Sequence, residues 1–233
     1  MKRLSVLAAS MLWCACAAWA GDLQSAPPVR LVTAVRPELP AYKQFSDAMD
    51  MAFKALKRPY TLTFNPAERA VTAFKSGLFD GDLPRGPTYD KTYPEAIRVD
   101  PALVSALYVG VVRAGGITVA SWDDLAKYRI AYRRGFKSIE SLTAHVPNKT
   151  YADSYESCVR MVRDEHVDVC IAVSAGIKPL LPLDKQFAVH HIGHEKLHLW
   201  LGPQHKELAQ TLGRVLTEMQ KRGDLDQIFR EFN

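Results

Sequence analysis

Cysteine is scarce in this chain, and the spacing of the few present argues against a structural metal. Four cysteines occur in 233 residues, and neither a CxxC pair nor a Cys/His combination has the spacing of a zinc site. A Walker-type phosphate loop and a recognisable nucleophile–base motif are also missing from the sequence. We therefore predict neither a metal nor any other cofactor.

Clustered positive charge and long apolar runs are absent from most of the chain. The 30 Lys and Arg exceed the 25 Asp and Glu by a formal net charge of +5, but the basic residues are scattered. This pattern does not indicate nucleic-acid binding. Beyond residue 20, no segment approaches the ~20 apolar residues that a membrane-spanning helix needs. The length suffices for one large core or two smaller ones.

The first 20 residues have the organisation of a secretory signal peptide. Lys2 and Arg3 precede an apolar stretch, and Ala18 and Ala20 place small residues before Gly21. The alternative is a membrane anchor, but the apolar run is short and ends in a cleavage pattern. We predict that residues 1–20 are a cleaved signal peptide and that the mature protein lies in the periplasm.

Strand and helix patterns alternate along the mature chain. Short apolar runs typical of buried strands are separated by segments with apolar residues at helical spacing, such as 155–165. The predicted strands that matter below lie at 29–35, 79–83 (ending at Pro84), 167–173, 186–192 and 197–201. The pattern restarts after Gly115, which indicates an α/β fold with two lobes.

Several short motifs, in this order and spacing, resemble the type 2 periplasmic solute-binding proteins, specifically the amino-acid-binding-like branch (bacterial extracellular solute-binding protein family 3). Each is weak alone, but together they cover nearly the whole mature chain. They are Glu68-Arg69-Ala70, Ser76-Gly77-Leu78-Phe79-Asp80-Gly81-Asp82, Tyr93-Pro94, Val99, Ser121-Trp122-Asp123-Asp124-Leu125, the strand-turn 131–135, Val167-Asp168-Val169, Leu197-His198-Leu199, His205-Lys206-Glu207-Leu208 and Gly223-Asp224-Leu225.

The resemblance implies a periplasmic binding protein type II fold, in which two crossing hinge strands join the lobes. Lobe one would comprise 21–111 and 193–233, and lobe two 112–192. A small-molecule ligand would bind in the cleft between them, and the lobes would close on it. The resemblance also implies a monomer, with an inner-membrane ABC transporter or a sensor as its partner.

Arg85 is the first candidate for contact with the ligand. It follows a predicted strand, and the carboxyl ends of strands line the crevice in open α/β sheets. A guanidinium holds a carboxylate by two parallel hydrogen bonds, and the resemblance implies this role for an arginine near this position. The alternative is a solvated surface arginine. Asp82 either contacts ligand or pairs with Arg85, and we favour the pairing.

The turn that follows the predicted strand 129–133 supplies further candidates: Arg134, Lys137 and Ser138. It leads into a helix N-terminus, where free N–H groups attract an anion. Ser138 has the alternative role of capping its own helix. The resemblance adds Tyr42 as an aromatic residue against the ligand, with a core position as the alternative.

One departure from the resembled family bears on the ligand. Amino-acid binders of this branch place an aspartate just after the strand that matches 167–173. This chain has no carboxylate between Cys170 and Ala175. With Arg85, Arg134 and Lys137 available, we expect an anionic ligand rather than an ordinary α-amino acid.

Two cysteines, Cys158 and Cys170, remain after removal of the signal peptide. An even pair in an oxidising compartment predicts a disulfide, and two buried free thiols are the alternative.

Five histidines between 190 and 205 suggest a metal site, but strand periodicity places the side chains of His190 and His191 on opposite faces. We therefore predict no metal there.

Three functions are compatible with this sequence. The leading one is a binding protein that serves transport or sensing, without enzymatic activity. The second is a dehydratase-like enzyme, because the resembled fold also hosts such enzymes and fold does not determine function. The third is a diverged module that binds a protein partner.

Overall fold

A computed structural model describes residues 27–180 and 185–230 of the protein. The predicted signal peptide at 1–20 lies outside the described residues. Within those residues, no helix has the length and apolar character needed to cross a membrane.

The described residues form eight strands and seven α-helices. The strands are β1 (Val29–Thr33), β2 (Tyr60–Phe64), β3 (Gly81–Arg85), β4 (Ile97–Arg113), β5 (Ile130–Arg133), β6 (Lys149–Ala152), β7 (Val169–Val173) and β8 (Phe187–Leu201). The helices are α1 (Pro40–Ala55), α2 (Ala67–Lys75), α3 (Lys137–Leu142), α4 (Tyr155–Arg163), α5 (Ser174–Ile177), α6 (Lys206–Lys221) and α7 (Asp224–Ile228). Strands and helices alternate along the chain, except for the succession β3, β4, β5 and the final pair α6, α7. Short 3-10 helices lie at Pro87–Lys91, Asp123–Lys127, Lys178–Leu180 and Pro203–His205.

The strands form one sheet in the order β2-β1-β3-β8-β4-β7-β5-β6. At one end β2, β1 and β3 are parallel, and at the other β6, β5 and β7 are parallel. The long strands β4 and β8 run antiparallel between these two groups, from the Ile97–Leu201 pair to the Arg113–Phe187 pair. The predicted α/β fold class is confirmed, and β4 and β8 have the form of the two predicted crossing strands.

Two strand predictions were wrong. Strand β3 continues through Pro84 to Arg85, because Pro84 lies at an irregularity in the pairing with β8, where a missing N–H is tolerated. The separate strands at 186–192 and 197–201 are one strand, β8. The intervening residues also pair with β4, Gly193 with Tyr108 and Lys196 with Ser105.

Apolar side chains bury both faces of the sheet. Helices α1, α6 and α7 contact one another, and α6 also contacts β4. Phe45 of α1 packs against Phe229 with 5.0 Å between ring centroids. The β5–β7 end has a separate cluster built around Val159, Val162 and Ala172. The main cluster itself extends across both parallel groups of strands, from Leu31 and Leu83 to Ile130 and Ile171.

The predicted disulfide is confirmed. Cys158 of α4 and Cys170 of β7 are both fully buried and form a bond with an S–S distance of 2.04 Å and a Cα–Cα distance of 5.6 Å. The bond fastens α4 to β7 inside the second cluster. Its two residues lie 12 positions apart in the sequence, so it closes a short loop.

Candidate functional site

A cavity of about 210 Å³ lies where the carboxyl ends of strands from both parallel groups come together. Ala34 follows β1, Arg85 ends β3, Arg133 ends β5 and Val173 ends β7, and all four line the cavity. This is the position at which open α/β sheets bind ligands. The other lining residues include Gly86, Ala67, Tyr108, Gly135, Phe136, Lys137, Ser138, Tyr155, Gly176 and Lys178.

Arg85 lines the cavity, as the sequence predicts, and it is only 8% exposed. Its Nε donates to Asp82 Oδ2 at 2.9 Å, and its guanidinium carbon lies 5.2 Å from the centroid of the Tyr89 ring. Its Nη2 is buried and has no hydrogen-bond partner among the described residues. A buried guanidinium N–H without an acceptor is costly, and among the described lining residues only Arg85 has such an unpaired buried atom.

Asp82 is fully buried and does not line the cavity. It accepts hydrogen bonds from Arg85 and from the Tyr89 hydroxyl, the latter at 2.7 Å. Burial raises the pKa of the Asp82 carboxyl, while the Arg85 charge and the Tyr89 hydroxyl oppose that shift. The favoured pairing of Asp82 with Arg85 is therefore present, and Asp82 holds Arg85 in place.

The turn between β5 and α3 brings Lys137 and Ser138 to the cavity. Gly135 has a φ of 86°, a conformation that glycine adopts readily, and a Cβ there would lie 2.7 Å from the Cβ of Ala67. The turn therefore packs against the start of α2. Ser138 lies in the first turn of α3 and does not cap it, because the N-cap position belongs to Phe136. The capping alternative was wrong.

Lys137 forms two ion pairs, to Glu68 of α2 at 2.7 Å and to Glu140 of α3 at 2.9 Å. Both carboxylates raise the pKa of Lys137 against the opposing effect of burial. The pair with Glu68 joins helices that belong to opposite ends of the sheet.

The structure places two of the sequence candidates elsewhere. Arg134 is exposed, and its guanidinium carbon stacks 4.8 Å from the centroid of the Tyr151 ring. Tyr42 donates its hydroxyl to the Leu62 carbonyl at 3.3 Å. Neither lines the cavity, because the neighbouring positions on the same turn and helix face it instead.

Arg133, rather than Arg134, is the arginine of this turn that lines the cavity. Its guanidinium carbon lies 4.9 Å from the Phe136 ring centroid and 5.6 Å from that of Tyr155, within the range of cation–π attraction. Burial lowers the pKa of Arg133. Its place as the last residue of β5 was the signal that could have identified it.

Sequence reasoning also missed Glu195 on β8, a carboxylate that is only 8% exposed. The Tyr108 hydroxyl donates to its Oε2 at 2.7 Å. Its Oε1 would lie 2.3 Å from a Cβ at Gly86, so Glu195 reaches the residue next to Arg85. Burial raises the pKa of Glu195, and hydrogen bonds from Tyr108 and Ser138 oppose the shift. Sequence reasoning placed Glu195 between two predicted strands and gave no signal that its carboxylate would be buried beside the cavity.

The segment after β7 contributes Ala175, Gly176 and Lys178 to the cavity and no carboxylate. A Cβ added at Gly176 would lie only 2.3 Å from a carbon of the Tyr155 ring, so the ring fills that space.

The histidines between 190 and 205 do not converge: across the described residues, no group of three or more potential ligands is placed to hold a metal ion.

The comparisons with known proteins bear on this geometry. Neither a protein-family model nor a curated protein matches the sequence. Among solved structures, the GluR0 ligand-binding core in complex with L-glutamate aligns with a TM-score of 0.73 and 11% identity, covering 89% of this chain and 99% of that chain. The chain has the type II periplasmic binding protein fold.

Two further solved structures with this binding-protein fold are similar over most of their length. An arginine third-transport-system periplasmic binding protein from Legionella pneumophila has a TM-score of 0.66 and 15% identity, covering 88% of this chain and 99% of its own. The ancestral amino acid-binding protein AncCDT-1, described as a precursor of cyclohexadienyl dehydratase, has a TM-score of 0.64 and 18% identity, covering 88% and 95%. The predicted fold is therefore confirmed, while the ligand is not fixed by these similarities.

Proposed function

We propose that this protein is an exported solute-binding protein that holds a small ligand by an anionic group in the cavity at the strand ends. The observation that carries the proposal is the buried Arg85 Nη2, which lacks an acceptor among the described residues. A ligand carboxylate would supply that acceptor through charge-assisted hydrogen bonds.

The charge of the cavity supports the same ligand chemistry. Arg85, Arg133, Lys137 and Lys178 line it, and none of its described lining residues is a carboxylate. Both Arg133 and Arg85 are held against aromatic rings, which limits the side-chain entropy lost on binding. The apolar and aromatic part of the lining suits an organic acid of amino-acid size.

We propose a binding role rather than catalysis for two reasons. The cations in the described lining suit the binding of an anion, and that lining contains no carboxylate that could act as a general acid or base. The proposal is supported by the similarity to the glutamate-bound GluR0 ligand-binding core and to the periplasmic binding protein of an arginine transport system. The signal-like residues 1–20 support export to the periplasm. Delivery to an ABC transporter and presentation to a sensor both fit a protein of this kind.

The proposal is tested by screening small carboxylates and amino acids by thermal shift, followed by calorimetry with the ligands found. Removing Arg85 alone would leave the buried Asp82 without its cation, which destabilises proteins. The double variant Asp82→Asn/Arg85→Met avoids that problem. We expect it to bind at least about tenfold more weakly, since each lost charge-assisted bond costs about 1.5–3 kcal/mol.

Arg134→Met is the matched control, because Arg134 is exposed and lies outside the cavity. Its affinity should stay within about twofold of the wild type. Undiminished affinity in a folded Asp82→Asn/Arg85→Met variant would remove Arg85 from the site.

A further inference from the structure

Arg133 lines the cavity without a carboxylate partner. Among the described residues it forms neither an ion pair nor a hydrogen bond, and its contacts are with aromatic rings. By contrast, Arg85 pairs with Asp82, and Lys137 pairs with two glutamates. A partly buried guanidinium without a counter-ion is unfavourable, so an anion bound beside Arg133 would offset a cost that the fold leaves in place.

Two aromatic rings hold Arg133 at the cavity wall. Its guanidinium carbon lies 4.9 Å from the centroid of the Phe136 ring and 5.6 Å from that of Tyr155. The centroids of these two rings are 6.1 Å apart, and Gly176 leaves the space that the Tyr155 ring fills. A guanidinium stacks on rings through its faces, whereas its five N–H donors lie in its plane. Arg133 is therefore held in position with hydrogen-bond donors that no described residue uses.

Arg85 and Arg133 approach the cavity from opposite parallel groups of strands. Arg85 ends β3 and Arg133 ends β5, and β8, β4 and β7 lie between those two strands in the sheet. Because neighbouring strands are about 4.8 Å apart, strand ends four spacings apart bring the two guanidiniums to different walls. Much of the remaining lining is apolar, including Val35, Leu39 and Val173. Two separate anion-binding groups in a largely apolar cavity match a short ligand with a carboxylate at each end.

We propose that Arg133 is a second anion-binding residue and that the ligand is a short aliphatic dicarboxylate of charge −2. One carboxylate would be held by Arg85 and the other by Arg133, so that the ligand connects the two proposed lobes. This inference rests on the proposed function and names the class of ligand that the cavity accepts. An ammonium group on the ligand would be disfavoured, because the described lining contains cations and no carboxylate, and like charges repel.

The test uses pairs of compounds that differ in the charge of one end. Each dicarboxylate is compared with its monoamide: succinate with succinamate, glutarate with glutaramate, and adipate with adipamate. Affinities are measured by calorimetry at about pH 8, where carboxylates are ionised. In the best-binding pair the dicarboxylate should bind at least about tenfold more tightly than its monoamide, the factor expected from one charge-assisted bond. Glutarate should also bind more tightly than L-glutamate, which carries an added ammonium group.

Arg133→Met tests whether this preference depends on Arg133. Methionine keeps an apolar side chain beside the rings but removes the charge and all the N–H donors. The preference for the dicarboxylate should fall by about tenfold, while the affinity for the monoamide stays within about threefold of the wild type. Arg133→Lys keeps a charge but not the planar fork, so it should retain part of the preference. Arg134→Met, at the exposed neighbouring position, should leave the preference unchanged.

Four results overturn the inference but leave the proposed function standing. They are equal wild-type affinity within the best-binding pair, an unchanged preference in Arg133→Met, a parallel loss of both compounds in that variant, and tighter binding of L-glutamate than of glutarate. A parallel loss is what a structural role, or one carboxylate shared by both arginines, would produce. If Arg133→Met does not fold, Arg133→Lys provides the same comparison.

Binding of none of the six paired compounds overturns the inference as well. The Asp82→Asn/Arg85→Met variant, measured with the ligand found by broader screening, then decides the proposed function separately.

Discussion

Arg85 shows how a single residue combines structural and functional demands. Its Nε is held by the fully buried Asp82, while its Nη2 has no acceptor in the described parts of the chain. A purely structural ion pair would be expected to satisfy all of its buried donors. An unsatisfied donor on a residue that lines the cavity is instead what we expect of a group arranged for a partner that binds and leaves.

Gly86 provides the prediction at the residue scale. In Gly86→Ala the new Cβ would lie 2.3–2.6 Å from the Glu195 carboxylate atoms, and Glu195 is confined by burial and by its bond from Tyr108. We expect the free energy of unfolding to fall by about 1–3 kcal/mol, as for other overpacked sites. Urea denaturation followed by circular dichroism measures this change.

Gly202→Ala is the matched control, because its backbone φ is −64° and its Cβ would lie 2.6 Å from Gln204 Oε1. Gln204 is exposed and can swing away, so the cost should stay below about 0.5 kcal/mol. Adding Glu195→Asp, which shortens the acidic side chain, should recover part of the Gly86→Ala loss. Equal stability of Gly86→Ala and Gly202→Ala would contradict the packing argument.

At the element scale, the sequence predicted most strands and helices because their apolar residues repeat with the right period. It predicted that Arg85 faces the cavity because strand ends converge in this kind of sheet. It did not distinguish Arg133 from Arg134, since a one-residue shift at a strand end reverses the direction of the side chain. Glu195 was missed because its surroundings come from β4 and α3, far away in the sequence.

The disulfide between α4 and β7 provides the element-scale prediction. Its residues are 12 positions apart, and a loop of that size stabilises the folded state by about 2–4 kcal/mol relative to the uncrosslinked chain. The double variant Cys158→Ala/Cys170→Ala should lose at least this amount in urea denaturation, because truncation also removes buried side-chain atoms.

Wild-type protein treated with a thiol reductant separates the two contributions. Reduction breaks the crosslink but keeps both buried side chains, so its stability should fall between those of the oxidised wild type and the double variant. A reduced wild type as stable as the oxidised protein would show that the crosslink itself contributes nothing.

At the scale of the whole molecule, the two parallel groups of strands are connected through the long strands β4 and β8. The pairing of these strands shifts register beside Tyr108, close to the cavity and within the region where we expect the hinge, near 109–114 and 189–195. A bulge of this kind bends and twists a strand pair. We therefore propose that the two ends of the molecule, lobe one (21–111 with 193–233) and lobe two (112–192), rotate about this region.

Contact between α2 and the β5–α3 turn provides the last prediction. Ala67 meets Gly135, where an added Cβ would lie only 2.7 Å away, and Glu68 pairs with Lys137. These contacts join the two proposed lobes beside the ligand cavity, so they should form on closure.

Ala67→Trp would place a large side chain between the lobes and hold them apart. With the tightest ligand from the screen at saturation, X-ray scattering should show that the radius of gyration of the wild type decreases. The radius of Ala67→Trp should stay at its ligand-free value, and its affinity should fall by at least about tenfold because the closed contacts are lost. Thr72→Trp adds the same bulk to an exposed position of α2 and should close like the wild type. An unchanged radius in the saturated wild type would argue against the hinge, and normal closure in Ala67→Trp would show that this contact does not form between moving lobes.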